Sequence, residues 1–310
     1  MTVFGPDPVL SVTLERRGSD DDVHLHPAGQ GVWVTRAAAE LGAVPVLCCL
    51  AGGETGAILA PLLEALPGEA RITATAGTSG SYVIDRRAGT RELVALANRP
   101  APARHELDDL VSATCAAGMA SAAVVICNPF PPDDLPGDTW ETLAGTLHEA
   151  GVPVIADLSS PRLDEVLRGA PDVVKLNDWE LAEYVTGPVD GELGLAAMRR
   201  LQRAGAGAVV VTRGGDPIAV LEAGGDTYEV VPPRFTHGYR EGCGDTMTGA
   251  LAACLAQGMP LRDALITGAA AGAANFLRHG LGTARRSVIE CLVGRVMIRP
   301  ISQVVEGTAA

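Results

Sequence analysis

Short apolar runs alternate with glycine-bearing loops and helix-patterned segments along most of the chain, and this limits the fold more than any other feature. The run 44–50 is continuous and short, so its length and flanks predict a buried strand. Gly52, Gly53 and Gly56 follow it and lead into a helix that ends near Leu66. The order then repeats. Strands over 122–127 and 152–157 precede helices over 138–150 and 164–168. A strand over 173–176, a helix over 193–204 and a strand over 208–212 continue the pattern. Between 26 and 42 a loop with Gly29 opens a helix that Gly42 closes. Such repetition places helices on both faces of a parallel sheet. Two stretches depart from it. Residues 8–14 alternate as a strand before an acidic turn at 19–22. Residues 71–96 carry Thr, Ser, Tyr, Val and Ile around a polar turn at 86–89, with no helix between, which predicts two or three antiparallel strands. The expectation is an α/β chain with a small β lid over about 8–25 and 72–97. A hairpin over 218–221 and 227–231 comes later, then a helix near 261–278 and a loose tail over the last dozen residues.

Composition excludes several classes. At 310 residues the chain can bury roughly three quarters of its unfolded surface, and the expectation is a single domain over 1–310. Apolar residues at 47% exclude a disordered chain. A net charge of −13 argues against nucleic acid or an anionic membrane as partner, because both select basic surfaces. The seven cysteines are scattered without a CxxC pair, so neither a zinc site nor a disulfide framework is expected. Without a signal peptide or an apolar run of spanning length, the expected location is cytoplasmic.

Residues 238–258, GYREGCGDTMTGALAACLAQG, hold the candidate chemistry. Gly242, Cys243 and Gly244 make a loop nearly free of side chains, and Asp245 follows directly. Met247, Ala250, Leu251, Cys254 and Leu255 then recur at helical spacing. The first N–H groups of a helix lack internal partners and carry partial positive charge, a place where a phosphate fits. Asp245 would stand beside that phosphate as a proton acceptor. The plainer reading makes Asp245 an N-cap, a position aspartate often fills. Cys243, a thiol at a helix N-terminus, is expected to have a lowered pKa.

This stretch resembles the GAGD signature of the PfkB (ribokinase-like) carbohydrate kinases. Four further stretches match that family in order. Lys175-Leu-Asn177-Asp-Trp-Glu180-Leu is similar to KPNxxEL. Val211-Thr212-Arg213-Gly214-Gly215 is similar to the strand end beside the nucleotide. Cys127-Asn-Pro-Phe-Pro-Pro and Asp157-Leu-Ser are placement markers. The resemblance implies a ribokinase-like core of mainly parallel sheet, a homodimer through the lid strands, and transfer of a phosphoryl group from ATP to a small sugar-like acceptor. It implies Asp245 as base, with Gly242, Cys243 and Gly244 as anion hole. It also implies Thr212, Arg213, Gly214 and Gly215 at the nucleotide, and Asn177 and Glu180 near Mg²⁺ through water. Asn177 and Glu180 equally suit a capping box.

In layout the chain resembles the branch of 1-phosphofructokinases and tagatose-6-phosphate kinases, and its acceptor positions depart from that branch. Ser11 stands where the branch has a sugar-binding Asp. In the loop beginning Ala28-Gly29, Gln30 and Trp33 replace a lysine and an asparagine. The phosphate-binding arginine falls at Ser79 or Gly80, and Arg240 is new before the glycine loop. With those cations lost, the expected acceptor is less charged than a hexose phosphate, bound by Ser11, Gly29, Gln30, Trp33 and Arg240. The alternatives are a nucleoside kinase, with Trp33 stacked on a base, and a catalytically weak sugar- or nucleotide-binding protein.

Overall fold

The alternation does produce a parallel sheet, but its first strand lies earlier than expected. The structure, a computed structural model, describes residues 1–130 and 135–301, so Pro131 and Pro132 and the tail over 302–310 lie outside the described residues. Strand β1 is Thr2–Phe4. Strands β2 (Val9–Arg17) and β3 (Asp20–Ala28) form a hairpin set apart from it. Helix α1 (Gln30–Glu40), β4 (Val46–Gly52), α2 (Gly53–Glu64) and β5 (Glu69–Thr75) follow. A second hairpin joins β6 (Ser81–Asp85) and β7 (Glu92–Ala97). Alternation resumes with α3 (Arg104–Met119), β8 (Val124–Cys127), α4 (Asp138–Glu149), β9 (Val154–Asp157) and α5 (Arg162–Arg168). Next come β10 (Val173–Asn177), α6 (Asp178–Val185), α7 (Gly191–Ala204) and β11 (Ala208–Arg213). The hairpin β12 (Asp216–Leu221) and β13 (Thr227–Val231) leads to α8 (Cys243–Ala256), α9 (Leu261–Phe276), α10 (Arg286–Val293) and β14 (Met297–Pro300).

Among the described residues the large sheet runs β14-β13-β12-β11-β10-β9-β8-β1-β4-β5, parallel from β11 to β5 and antiparallel beyond. Successive strand residues face opposite sides. Val3 therefore joins the cluster with Val32, Met247 and Leu251, while Phe4 joins Trp140, Leu143 and Leu147 on the other side. Helix α8 lies directly on α1 because residue 249 is glycine: a Cβ there would stand 2.9 Å from Ala37 Cβ. No helix among the described residues is long and apolar enough to cross a membrane.

The second sheet runs β3-β2-β6-β7 and is the lid. Its expected range was too generous. Residues 72–75 belong to β5, which pairs parallel with β4 as the edge of the large sheet. Helix α2 makes β4 and β5 an ordinary crossover pair, so the lid's second part begins only at Ser81. Met297–Pro300, partly expected in the loose tail, is a strand paired with β13. A buried ion pair between Asp7 and Arg99 ties the chain entering the lid to the chain leaving it.

Candidate active site

Helix α8 starts at the ends of the parallel strands, where Asp157, Asn177 and Arg213 are the last residues of β9, β10 and β11. Open α/β sheets gather ligands at that edge. Gly242 is the N-cap, with φ 72, a left-handed conformation that glycine adopts without a Cβ penalty. Asp245 is therefore the third helical residue, and the N-cap reading of it does not hold. Cys243 N already donates to Arg240 O (3.3 Å), and Thr246 N donates to Gly242 O (2.9 Å). Gly244 and Asp245 contribute first-turn N–H groups with no backbone partner among the described residues. A Cβ at Gly244 would stand 3.1 Å from Lys175 Nζ, so the glycine lets a cation sit against the loop.

That lysine belongs to a buried network the sequence did not reveal. Lys175 Nζ donates to Asp157 Oδ2 at 2.9 Å, and Thr248 Oγ1, one turn along α8 from Gly244, donates to the same oxygen. Burial alone would lower the Lys175 pKa, but Asp157, Asp245 and Glu180 hold it above its ordinary value. Burial pushes Asp245 up to about 7, reinforced by the charge of Asp157. Lys175 and a hydrogen bond from Gln30 pull the other way. Gln30 Oε1 is occupied by Asn128 N (2.6 Å), so the amide nitrogen is the donor toward Asp245. The signal for Lys175 was a charged residue inside the apolar run Val173–Asn177. Asp157 was read only as a placement marker.

Cys243 differs from expectation. Its thiol is half-buried and 3.4 Å from Tyr239 O, and burial pushes its pKa up to about 11 rather than down. Desolvation of the thiolate outweighs the helix terminus here.

Asn177 and Glu180 do form a capping box. Asn177 Oδ1 accepts from Glu180 N (2.9 Å), and Glu180 Oε2 accepts from Asn177 N (2.8 Å). Glu180 Oε1 has no hydrogen bond among the described residues, and burial raises the carboxyl's pKa. A cap that leaves one carboxylate oxygen free fits a cation held mainly by water and phosphate, the usual habit of Mg²⁺. At the positions expected to border a nucleotide, Thr212 Oγ1 donates to Leu176 O (3.4 Å) and Arg213 pairs with Glu229 (3.2 Å). Gly214 (φ 58) and Gly215 have open space where a Cβ would project.

The expected acceptor residues fall into two groups. Ser11 and Trp33 line a cavity of about 170 Å³ between the lid, α1 and the loop 279–283. Gly29 is the N-cap of α1 at φ 112, and Gln30 points to Asp245 as above. Arg240 is exposed and is not among the residues lining the cavity. Ser79, at the expected arginine position, is buried and its Oγ accepts from Gly52 N (3.1 Å). The cavity also contains Arg36, Arg86 and Arg91, none of them singled out by the sequence.

The large parallel sheet with its separate four-stranded lid defines the ribokinase-like class. A solved structure of phosphofructokinase-2 from Escherichia coli in its tetrameric inhibited form aligns with a TM-score of 0.83 at 22% identity, covering 95% of this chain and 98% of that one. Arabidopsis thaliana ribokinase complexed with ribose and ATP gives 0.73 at 20% identity, over 94% and 97%. In sequence, the ATP-dependent 6-phosphofructokinase isozyme 2 of Mycobacterium tuberculosis is 27% identical over 271 residues, 85% of this chain and 78% of that protein. The Escherichia coli protein of the same name is 29% identical over 264 residues, 83% of each. The model of the pfkB family carbohydrate kinases matches residues 11–287. The chain belongs to that family, whose members transfer a phosphoryl group to a hydroxyl.

Proposed function

We propose that the protein phosphorylates a hydroxyl of a small sugar-like acceptor with ATP and Mg²⁺, and that Asp245 is the general base. The observation carrying this is the Asp245 carboxyl in the first turn of α8, with a proton affinity near 7 and Lys175 against the adjoining loop. A base works best when its pKa lies near the working pH. Asp245 takes the hydroxyl proton as the acceptor oxygen bonds to the γ-phosphorus and the bond to the β,γ-bridging oxygen breaks, releasing ADP. Gly244 and Asp245 N–H groups and Lys175 face the charge on the phosphoryl oxygens, a preorganised arrangement that supplies much of such catalysis. Mg²⁺, for which Asn177 and Glu180 leave room through water, would neutralise phosphate charge. The open turn at Thr212, Arg213, Gly214 and Gly215 borders the nucleotide in this reading.

A homodimer through the lid belongs to the same proposal. Val23 and Leu25 on β3 are 57% and 49% exposed, and the register sets them beside Leu14 and Val12. Their neighbours His24 and His26 face the other way, and His26 lines the cavity. A contiguous apolar face of this kind asks for a partner. The central test is Asp245→Asn. Turnover should fall about 10²–10⁴-fold while MgATP affinity stays within a few-fold, because the substitution leaves the backbone donors and Lys175 in place. Activity near wild type in that variant would remove the assignment.

A further inference from the structure

The family position for a phosphate-binding arginine falls at Ser79 or Gly80 here, neither of them a cation, and the Ser79 hydroxyl accepts from Gly52 N. Counting positions 30 and 79 alone leaves the acceptor side without cations. The cavity beneath the lid reverses that count. Arg36, from α1, has no ion pair or hydrogen bond among the described residues, and burial lowers its pKa. Arg86 Nη1 lies 2.8 and 3.0 Å from the His279 ring nitrogens and donates to His279 O (3.3 Å), while its Nε is buried with no hydrogen bond among the described residues. A buried N–H left unmatched is costly unless something else accepts from it. Arg91 reaches the same cavity from the β6–β7 turn. Glu15 is the carboxylate among the described lining residues, and it lies 3.5 Å from His279 Nδ1. Three guanidinium groups therefore face one carboxylate. Burial and the nearby Arg36 push His26 below its ordinary value, so it adds little charge near pH 7.

The cavity is also joined to the chemistry. Leu281 lines it and packs against the glycine loop, where a Cβ at Gly242 would stand 3.2 Å from Leu281 Cβ. Along α1, Gln30 donates to Asp245, Trp33 lines the cavity, and Arg36 lines it further on. Arg36 lies six positions beyond Gln30 on the helix, about 9 Å of axial rise.

We propose that Arg36, Arg86 and Arg91 are specificity-determining residues that hold the anionic end of the acceptor, a phosphate monoester, while its reacting hydroxyl lies at Asp245. This rests on the kinase reading. It requires an acceptor whose reacting hydroxyl and oxyanion lie at opposite ends of the molecule. Guanidinium groups suit phosphate because they donate in parallel pairs. Trp33 then flanks the body of the acceptor.

Two measurements test it, one of which needs no turnover. Inorganic phosphate, titrated calorimetrically without nucleotide, should bind the wild type and bind Arg36→Met and Arg86→Met at least ~10-fold more weakly, each arginine supplying charge-assisted bonds. Arg36→Met is the cleaner variant, since Arg36 has no partner to release among the described residues. Arg36→Lys should recover part of the loss. MgATP binding should stay unchanged in all three. In steady state, fructose 6-phosphate should exceed fructose in kcat/KM for the wild type. The variants should erode that ratio through KM, with kcat within a few-fold, as for loss of uniform binding. Failure of phosphate to bind, equal phosphate binding by Arg36→Met, or equal use of fructose and fructose 6-phosphate would overturn the proposal. Tighter binding of acetate than of phosphate would overturn the phosphate assignment. Phosphate binding that the variants lose, with no turnover of any sugar, would support the anion site and remove only the kinase reading.

Discussion

The glycine loop at the head of α8 and the cavity beneath the lid are neighbours through Leu281, yet they are built on opposite plans. The loop is local. Gly242, Gly244 and Asp245 are close in sequence, and one helix start orients their backbone groups. The cavity is composite, drawing Ser11, Trp33, Arg36, Arg86 and His279 from separate segments. A contiguous stretch can be recognised by residue type and spacing. A composite site has no spacing at all, because its geometry is set by how the lid folds over α1. The loop also keeps its cation buried and paired, as Lys175 with Asp157, whereas at the cavity wall Arg36 of α1 has no ion pair among the described residues. The first plan fits a group that must stay rigid through a reaction. The second fits recognition of a varying partner.

The comparison breaks most readily at Asp245. Its folded-state pKa is raised from 3.8 to about 7, so folding disfavours the ionised form. The stability this group contributes is full below about 3.8 and is lost as the pH rises through 7, at up to ~1.4 kcal/mol per pH unit. Asp245→Asn should therefore be more stable than wild type at pH 8, on the order of a few kcal/mol, and nearly equal to it below pH 4. Thermal melts across that range decide it. A gap independent of pH would mean that Asp245 is not the strained acid described, and the contrast with the lid would weaken.

A smaller effect is expected at Asp157. Its charge raises the Asp245 pKa, while Lys175, its partner, lowers it. Asp157→Asn removes the first influence and leaves the second uncompensated, so both changes act downward. The acid limb of the kcat/KM profile should move to lower pH. An unmoved limb with reduced activity would make Asp157 a structural anchor only.

The smallest effect on chemistry is expected on the lid's outer face. Val23→Glu combined with Leu25→Glu places charge on the apolar face turned away from the cavity. Light scattering should then report a monomer where the wild type is a dimer, with helical circular dichroism unchanged. Equal masses for variant and wild type would remove the lid as an interface.

Legibility followed the same division. Most of the parallel core was readable because its strands are short apolar runs, as at Val46–Gly52 and Ala208–Arg213, while β1, only three residues long, was missed. Helix α3 is absent from the sequence pattern because its buried face is a sparse stripe of Leu107, Leu110, Thr114 and Ala117. Asn177 and Glu180 were legible as cap and candidate ligand alike, since both readings use the same spacing. Strand β5 was mistaken for lid because a strand's residues do not say which sheet they join.

What the sequence by itself determined is the alternation of strands and helices through most of the core and the helix headed by Gly242 and Asp245. Both depend on local backbone preference and on the period of apolar residues. Only the tertiary structure decided the proton affinity of Asp245, the Lys175–Asp157–Thr248 network, the burial that raises rather than lowers the Cys243 pKa, and the arginines beneath the lid. Desolvation and charge pairing depend on distances between segments far apart in the chain, and no local pattern encodes those distances.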